Sequence, residues 1–147
     1  MDGYVVDANL VFSSILNLRS GISTFIQKKQ EYGINFFAPE YLKVEIANHH
    51  ADLLKVSKLT SREILYARDH IYDYVTFFDD DAIPFEEYIK AMRIVRNIDP
   101  DDVTFVALNN FLGKKLWTGD LKLYRGLKQK GYEDVVVFQD LQIYYTI

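Results

Sequence analysis

Cysteine is absent from this chain of 147 residues. Its absence excludes a disulfide framework, a thiolate zinc site and a cysteine nucleophile, and fits a reducing, cytoplasmic setting. The opening Met1-Asp2-Gly3 lacks the basic region and apolar stretch of a secretory signal, and no apolar run approaches the length of a membrane span, so no membrane association is expected. There is no internal repeat and no linker-like stretch. An excess of basic residues is also missing. The formal net charge is −4, which argues against a passive nucleic-acid coat, because a polyanion bound by charge alone needs a basic surface. A metal-dependent enzyme escapes that objection, since the ion inverts the sign of its own pocket.

With 49% hydrophobic and 15% aromatic residues, the chain can bury one sizeable core and has little left for a second, so residues 1–147 are expected to form a single domain. The hydrophobic pattern alternates strands and helices. Strands are expected at 4–7, 35–38, 75–78, 116–118 and 135–138, the last ending before Gln139-Asp140. Helices are expected at 10–18, 22–29, 85–95 and 121–130, and from Asp99-Pro100 to Leu112. Pro39 suits the first position of a helix whose stripe is Leu42, Ile46, His49 and Leu53. Thr60-Ser61-Arg62-Glu63 reads as a capping box opening a helix towards Tyr74. This βα alternation with short connections implies a three-layer α/β/α sandwich with a mostly parallel central sheet.

Four acids stand out against that scaffold: Asp7, Glu45, Asp102 and Asp120. Ligands of an open parallel sheet bind beyond the carboxyl ends of its strands. Asp7 and Asp120 lie at such ends, while Glu45 and Asp102 fall in early turns of helices, Glu45 flanking an apolar stripe. Carboxylates in such places are costly alone, and several brought together hold a hard cation. Each has an ordinary reading as well. Asp7 can cap a helix, Asp99-Pro100-Asp101-Asp102 is a favourable helix start, Glu45 can be solvated and Asp120 can be a turn residue. Only the set carries weight. The helix after Asp102 is apolar nearly all round, which expects a buried start, and Asn109 lies on the Asp102 face. His49 and His50 are adjacent, diverge on a helix and make a poor joint metal site; His70 stands alone and Asp79-Asp80-Asp81 reads as a solvated turn.

Four segments in this order, covering most of the chain, resemble the PIN domain: strand-Asp7-x-Asn9, Pro39-x5-Glu45, Asp99-Pro100-Asp101-Asp102-x2-Phe105-x-Ala107-Leu108, and Trp117-Thr118-Gly119-Asp120. More narrowly they resemble the small prokaryotic PIN proteins that include VapC-type toxins. The resemblance implies a PIN-like fold and a Mg²⁺- or Mn²⁺-dependent endoribonuclease acting on single-stranded or loop RNA. It also implies the toxin half of a toxin–antitoxin pair, with an antitoxin protein and a like subunit in a dimer as partners. Carried over, Asp7, Glu45, Asp102 and Asp120 match the acidic quartet, with Asn9 and Thr118 as its polar companions. Many relatives have a second Asp where this chain has Lys122, which bears on a second metal site. Asp101 adjoins Asp102, and the spacing to Phe105 and Ala107 selects the latter.

Magnesium prefers oxygen ligands and retains several waters, so a few carboxylates suffice. Asp7 and Asp102 are expected as principal metal ligands and Asp120 as a ligand or holder of a second ion. Glu45 would act through water or as general base. Asn9 and Thr118 would orient water or phosphate. Lys122, Arg125, Lys128 and Lys130 either steer the RNA backbone or form a solvated helix face. A haloacid-dehalogenase-like phosphatase would need a second Asp where Asn9 stands. The other alternative is a catalytically silent PIN scaffold that docks a partner protein or RNA.

Overall fold

The computed structural model describes residues 2–147. The chain runs β1 (Asp2–Val6), α1 (Ala8–Leu16), α2 (Gly21–Gln27), α3 (Lys29–Tyr32), β2 (Ile34–Pro39), α4 (Tyr41–Asn48), α5 (His50–Val56), α6 (Ser61–Tyr72) and β3 (Val75–Phe78). It continues through α7 (Phe85–Val95), α8 (Val103–Leu112), β4 (Lys115–Trp117), α9 (Leu121–Gln129), β5 (Val135–Val136) and α10 (Phe138–Tyr145). Short 3-10 turns, Asp80–Ala82 and Pro100–Asp102, precede α7 and α8. The five strands form one all-parallel sheet in the order β3-β2-β1-β4-β5.

That order places β1 at the centre, with β2 on one side and β4 on the other. Sheet growth therefore reverses at β1, and the crevice between the carboxyl ends of β1 and β4 is the position at which such sheets bind ligands. The inner strands are buried on both faces, with Val5, Val6, Phe36, Ala38, Leu116 and Trp117 all at 0% exposure. Near-continuous apolar runs of this kind are what a doubly covered parallel sheet requires. On one face Tyr4, Phe36 and Trp117 meet Phe25 of α2 and Phe138 and Tyr145 of α10 in an aromatic cluster; Phe25 stands edge-on to Trp117 at 5.5 Å and Phe138 stacks on it at 6.0 Å. Helix α1 packs against α2, α4 and α6, whereas α8 packs on β1, β2, β4 and α7. These are the outer layers of an α/β/α sandwich. Among the described residues no helix is long and apolar enough to cross a membrane.

Five expectations need correction. Pro39 does not begin a helix: it is the last residue of β2, paired with Phe78, and the ladder continues through Glu40 N donating to Phe78 O at 2.9 Å. Helix α4 then has no cap of its own. Asp80 supplies one, accepting from Tyr41 N at 3.4 Å, so the acidic turn is not merely solvated. The stripe of Leu42, Ile46 and Leu53 is buried, but the helix breaks at His49, which is exposed. The final strand shrinks to Val135–Val136, and residues from Phe138 onward form α10. The β-branched run Val135-Val136-Val137 masks this helix start in sequence, although Asp140 marks it by accepting from Val137 N at 3.0 Å. Asp99-Pro100 opens a 3-10 turn, not α8 itself.

The aromatic cluster is expected to dominate stability. Phe25→Ala should cost about 3–5 kcal/mol, measured by urea unfolding. Phe85→Ala, on a side chain 76% exposed, should stay within about 0.5 kcal/mol.

Candidate metal centre

Asp7 follows β1 directly and caps α1, its Oδ1 accepting from Leu10 N at 2.9 Å. Its Oδ2 accepts from the Thr118 hydroxyl, and Thr118 Oγ1 in turn accepts from Asp120 N at 3.0 Å. Thr118 and Asp7 are each 1% exposed. A single buried hydroxyl thus joins the first and last acids of the sequence set. Asp120 caps α9 through its Oδ1, which takes Lys122 N at 2.9 Å and Leu123 N at 3.3 Å. The capping readings of Asp7 and Asp120 are therefore true, and they coexist with the convergence of the acids.

Asp99, Asp102 and Asp120 each offer a carboxylate oxygen, and the three atoms lie within 4.8 Å of one another. Asp99 was legible in sequence only as a helix cap. It does cap the 3-10 turn, through Asp101 N at 3.1 Å, but that turn brings the acids at its two ends, Asp99 and Asp102, together. Asp101, between them, is exposed. Asp7 is not in this close trio, and Glu45 approaches the site from α4; both remain in its field, because their charges act on Asp102. Asn9 is exposed on the first turn of α1 and lines an open cleft with Phe12, Ser13, Gly119, Asp120 and Lys122. Asn109 faces away: its Nδ2 donates to the Tyr132 hydroxyl and to Asp134 O. None of the three histidines joins the acid trio; His49 pairs with Asp52, His50 with Ser61 and His70 with Gln27.

Gly126 sets how closely α9 approaches the acid turn. A Cβ there would sit 2.8 Å from Ile98 Cδ1, so any larger residue would push the Ile98 side chain aside, and glycine keeps the contact despite costing about 1 kcal/mol relative to alanine in a helix interior. Ile98 precedes Asp99, and α9 begins at Asp120. The contact therefore braces two members of the trio.

The acids have little cationic compensation, His49 alone opposing the rise at Glu45 among the described residues. None of Asp7, Glu45, Asp99, Asp102 or Asp120 forms an ion pair among the described residues. Burial pushes Asp7 up to about 6 even though the hydrogen bonds from Thr118 and Leu10 oppose it. Burial, then the charges of Asp101 and Asp7, lift Glu45 to about 7. Burial, then Asp99, Asp7, Asp120 and Glu45, lift Asp102 to about 8. Asp102 Oδ2 and Glu45 Oε1 are buried with no hydrogen-bond partner, a costly arrangement unless something else engages them. A small divalent cation fits these observations. The donors are all hard oxygens, and Mg–O distances of about 2.0–2.1 Å place opposite ligands about 4.2 Å apart, the scale of the trio.

The sequence profile of the PIN domain family matches residues 5–140. No curated protein matches the chain. Among solved structures it is similar to the crystal structure of PAE2754 from Pyrobaculum aerophilum, with a TM-score of 0.70 and 12% identity over 99% of this chain and 90% of that one. It is also similar to the crystal structure of VapBC2 from Rickettsia felis bound to a DNA fragment from their promoter, with a TM-score of 0.68 and 12% identity over 92% of this chain and 96% of that one. At this identity the likeness to both structures is one of fold.

The raised carboxyls fix a direction for stability against pH. An acid whose folded pKa exceeds its unfolded value ionises first in the unfolded chain, so the native state holds more protons and stability falls as pH rises. For Asp7, Glu45 and Asp102 the window runs from their ordinary values of 3.8–4.5 up to about 8. Metal-free protein in EDTA should therefore lose stability from pH 5 to pH 8, at up to about 1.4 kcal/mol per pH unit for each titrating group. Asp102→Asn should flatten the upper part of that slope and leave metal-free stability at pH 8 unchanged or higher by about 1 kcal/mol. A mutant weakened at every pH with its slope intact would assign Asp102 to the helix start alone.

Proposed function

This chain belongs to the PIN domain family, and from that membership and the geometry of its acids we propose that it is a Mg²⁺- or Mn²⁺-dependent endoribonuclease hydrolysing phosphodiester bonds of single-stranded or loop RNA. The observation that carries the reading is the convergence of Asp99, Asp102 and Asp120 beside the unpartnered oxygens of Asp102 and Glu45. Those three residues would hold the ion together with Asp7, which keeps a lone pair beyond the hydrogen bonds it accepts from Leu10, Thr118 and Gly119. Bound there, the ion would supply acidified water and neutralise charge developing on the phosphate. Glu45, half-buried on α4 with an unpartnered Oε1, would take a proton from the attacking water. Thr118 positions Asp7 and Asp120, Asn9 meets water or phosphate on the open side, and Lys122 and Arg125 draw in the RNA backbone.

In this reading residues 1–147 act as one domain in the cytoplasm, as the toxin of a toxin–antitoxin pair. The fold likeness to VapBC2 supports an antitoxin partner. A second copy of the chain is supported by an exposed apolar row on α7, Phe85, Ile89 and Met92.

Purified protein should cleave single-stranded RNA with Mg²⁺ or Mn²⁺ and lose that activity in EDTA. Asp102→Asn and Asp120→Asn should each reduce cleavage by roughly two orders of magnitude or more, while Asp101→Asn should matter far less. RNA that is bound but left intact with either metal would favour a silent binding scaffold. Cleavage undiminished in EDTA would exclude the metal mechanism.

A further inference from the structure

We infer that the depression between α9 and the segment linking α7 to the second 3-10 turn is a docking site for backbone phosphates of the single-stranded substrate, so that the strand leaves the acidic pocket over α9. This rests on the ribonuclease reading above. The depression, of about 430 Å³, is lined by Asn97, Ile98, Lys122, Arg125, Gly126 and Lys130, among others. It shares its wall with the acids. Lys122 N is bonded to Asp120 Oδ1, and Ile98 precedes Asp99, so a cation stands two residues from a proposed metal ligand, a backbone span of at most about 7 Å.

The charges are not those of an ordinary solvated face. Helix α9 reads Leu-Lys-Leu-Tyr-Arg-Gly-Leu-Lys-Gln and carries no acid. Lys122 and Arg125 lie three residues apart on one exposed face and form no ion pair among the described residues. Like charges at that spacing repel, and Lys122 also sits in the first turn, where the helix dipole disfavours a cation. Lys128, by contrast, is matched by Glu133 at 3.0 Å. Lys130 Nζ donates to Ile94 O at 2.5 Å, fixing its charge on the groove wall. The floor at Gly126 carries no side chain, and Ile98 fills the contact beneath it.

The α4 side of the pocket has the opposite sign. Tyr41 there faces the charges of Glu45, Asp101, Asp102 and Asp80, and Asp79, Asp81 and Asp101 are exposed. A polyanion is repelled from that rim and attracted to α9.

The test is fluorescence anisotropy of a labelled single-stranded RNA with the full-length protein in EDTA, which separates binding from cleavage. Lys122→Ala/Arg125→Ala should weaken binding by about ten-fold or more at low salt and reduce the slope of log K against log salt by about 0.7 per lost phosphate contact. With Mg²⁺ the same pair should raise KM more than it lowers kcat. Lys58→Ala, between α5 and α6, should bind as the parent does. Melting curves establish that the variants fold. Unchanged affinity and salt slope in the double variant, with parent protein that still cleaves RNA, would overturn the groove and leave the ribonuclease reading intact. Displacement of the RNA by an equal concentration of a nucleoside monophosphate would make the groove a mononucleotide pocket and overturn the strand path. Parent protein without metal-dependent cleavage would overturn the reading on which the inference rests.

Discussion

The hydroxyl of Thr118 is the interaction on which the acidic site depends. Asp7 is a fully buried carboxylate at the end of the central strand, and a group of that kind persists only where donors meet its oxygens. Leu10 N, Thr118 and the Gly119 backbone supply them, and by also accepting from Asp120 N the Thr118 hydroxyl ties the loop after β4 to the start of α1. The parallel pairing of Val6 with Trp117 makes this possible, because it brings the two strand ends level. Sheet register and site geometry are thus one constraint. A shift of β4 by one residue would turn Thr118 to the other face and leave a buried acid oxygen unpartnered.

The acids gathered there work against the fold that holds them. Glu45 and Asp102 carry buried oxygens with no partner, and no cation is paired with any acid of the site among the described residues. Stability has to come from elsewhere, and the aromatic cluster around Phe25, Phe36 and Trp117 lies directly beneath, on residues that lead into the site. Local rules broken together at one place are the pattern expected of a site kept for function. Helix α9 follows the same logic at smaller scale, with its glycine and its uncompensated cations.

The sheet was legible because parallel strands buried on both faces must be nearly continuous in apolar residues, as residues 4–6, 36–38 and 116–117 are. Capping chemistry was equally plain at Thr60 and Glu63, which form the expected box. Helix α10 was not legible: a run of valines followed by aromatics favours a strand by propensity, and only docking onto Trp117 and Phe25 makes it a helix. Asp80 hid for another reason, since its role is to cap a helix thirty-nine residues earlier in the chain. Asp99 shows the limit most clearly. Its local role as a cap explained it completely, so nothing remained in the sequence to suggest that the same side chain also faces Asp120. The Asp-x-x-Asp spacing across a tight turn was the one available signal. Asn109 erred the other way, sharing a helix face with Asp102 but lying two turns further along, beside Tyr132.

The chain has one tryptophan, and the fold puts it where it can be read optically. Trp117 is the last residue of β4, wholly buried, against Phe25, Phe36 and Phe138, with Thr118 next in the chain. Its indole N–H has no acceptor. Emission from this ring therefore reports on two events without any attached dye. Undocking of the terminal helix strips Phe138 from one side of the indole, and a change in the charge or hydration of the acids alters the field one residue away. The protein carries its own fluorophore between its aromatic cluster and its acidic site.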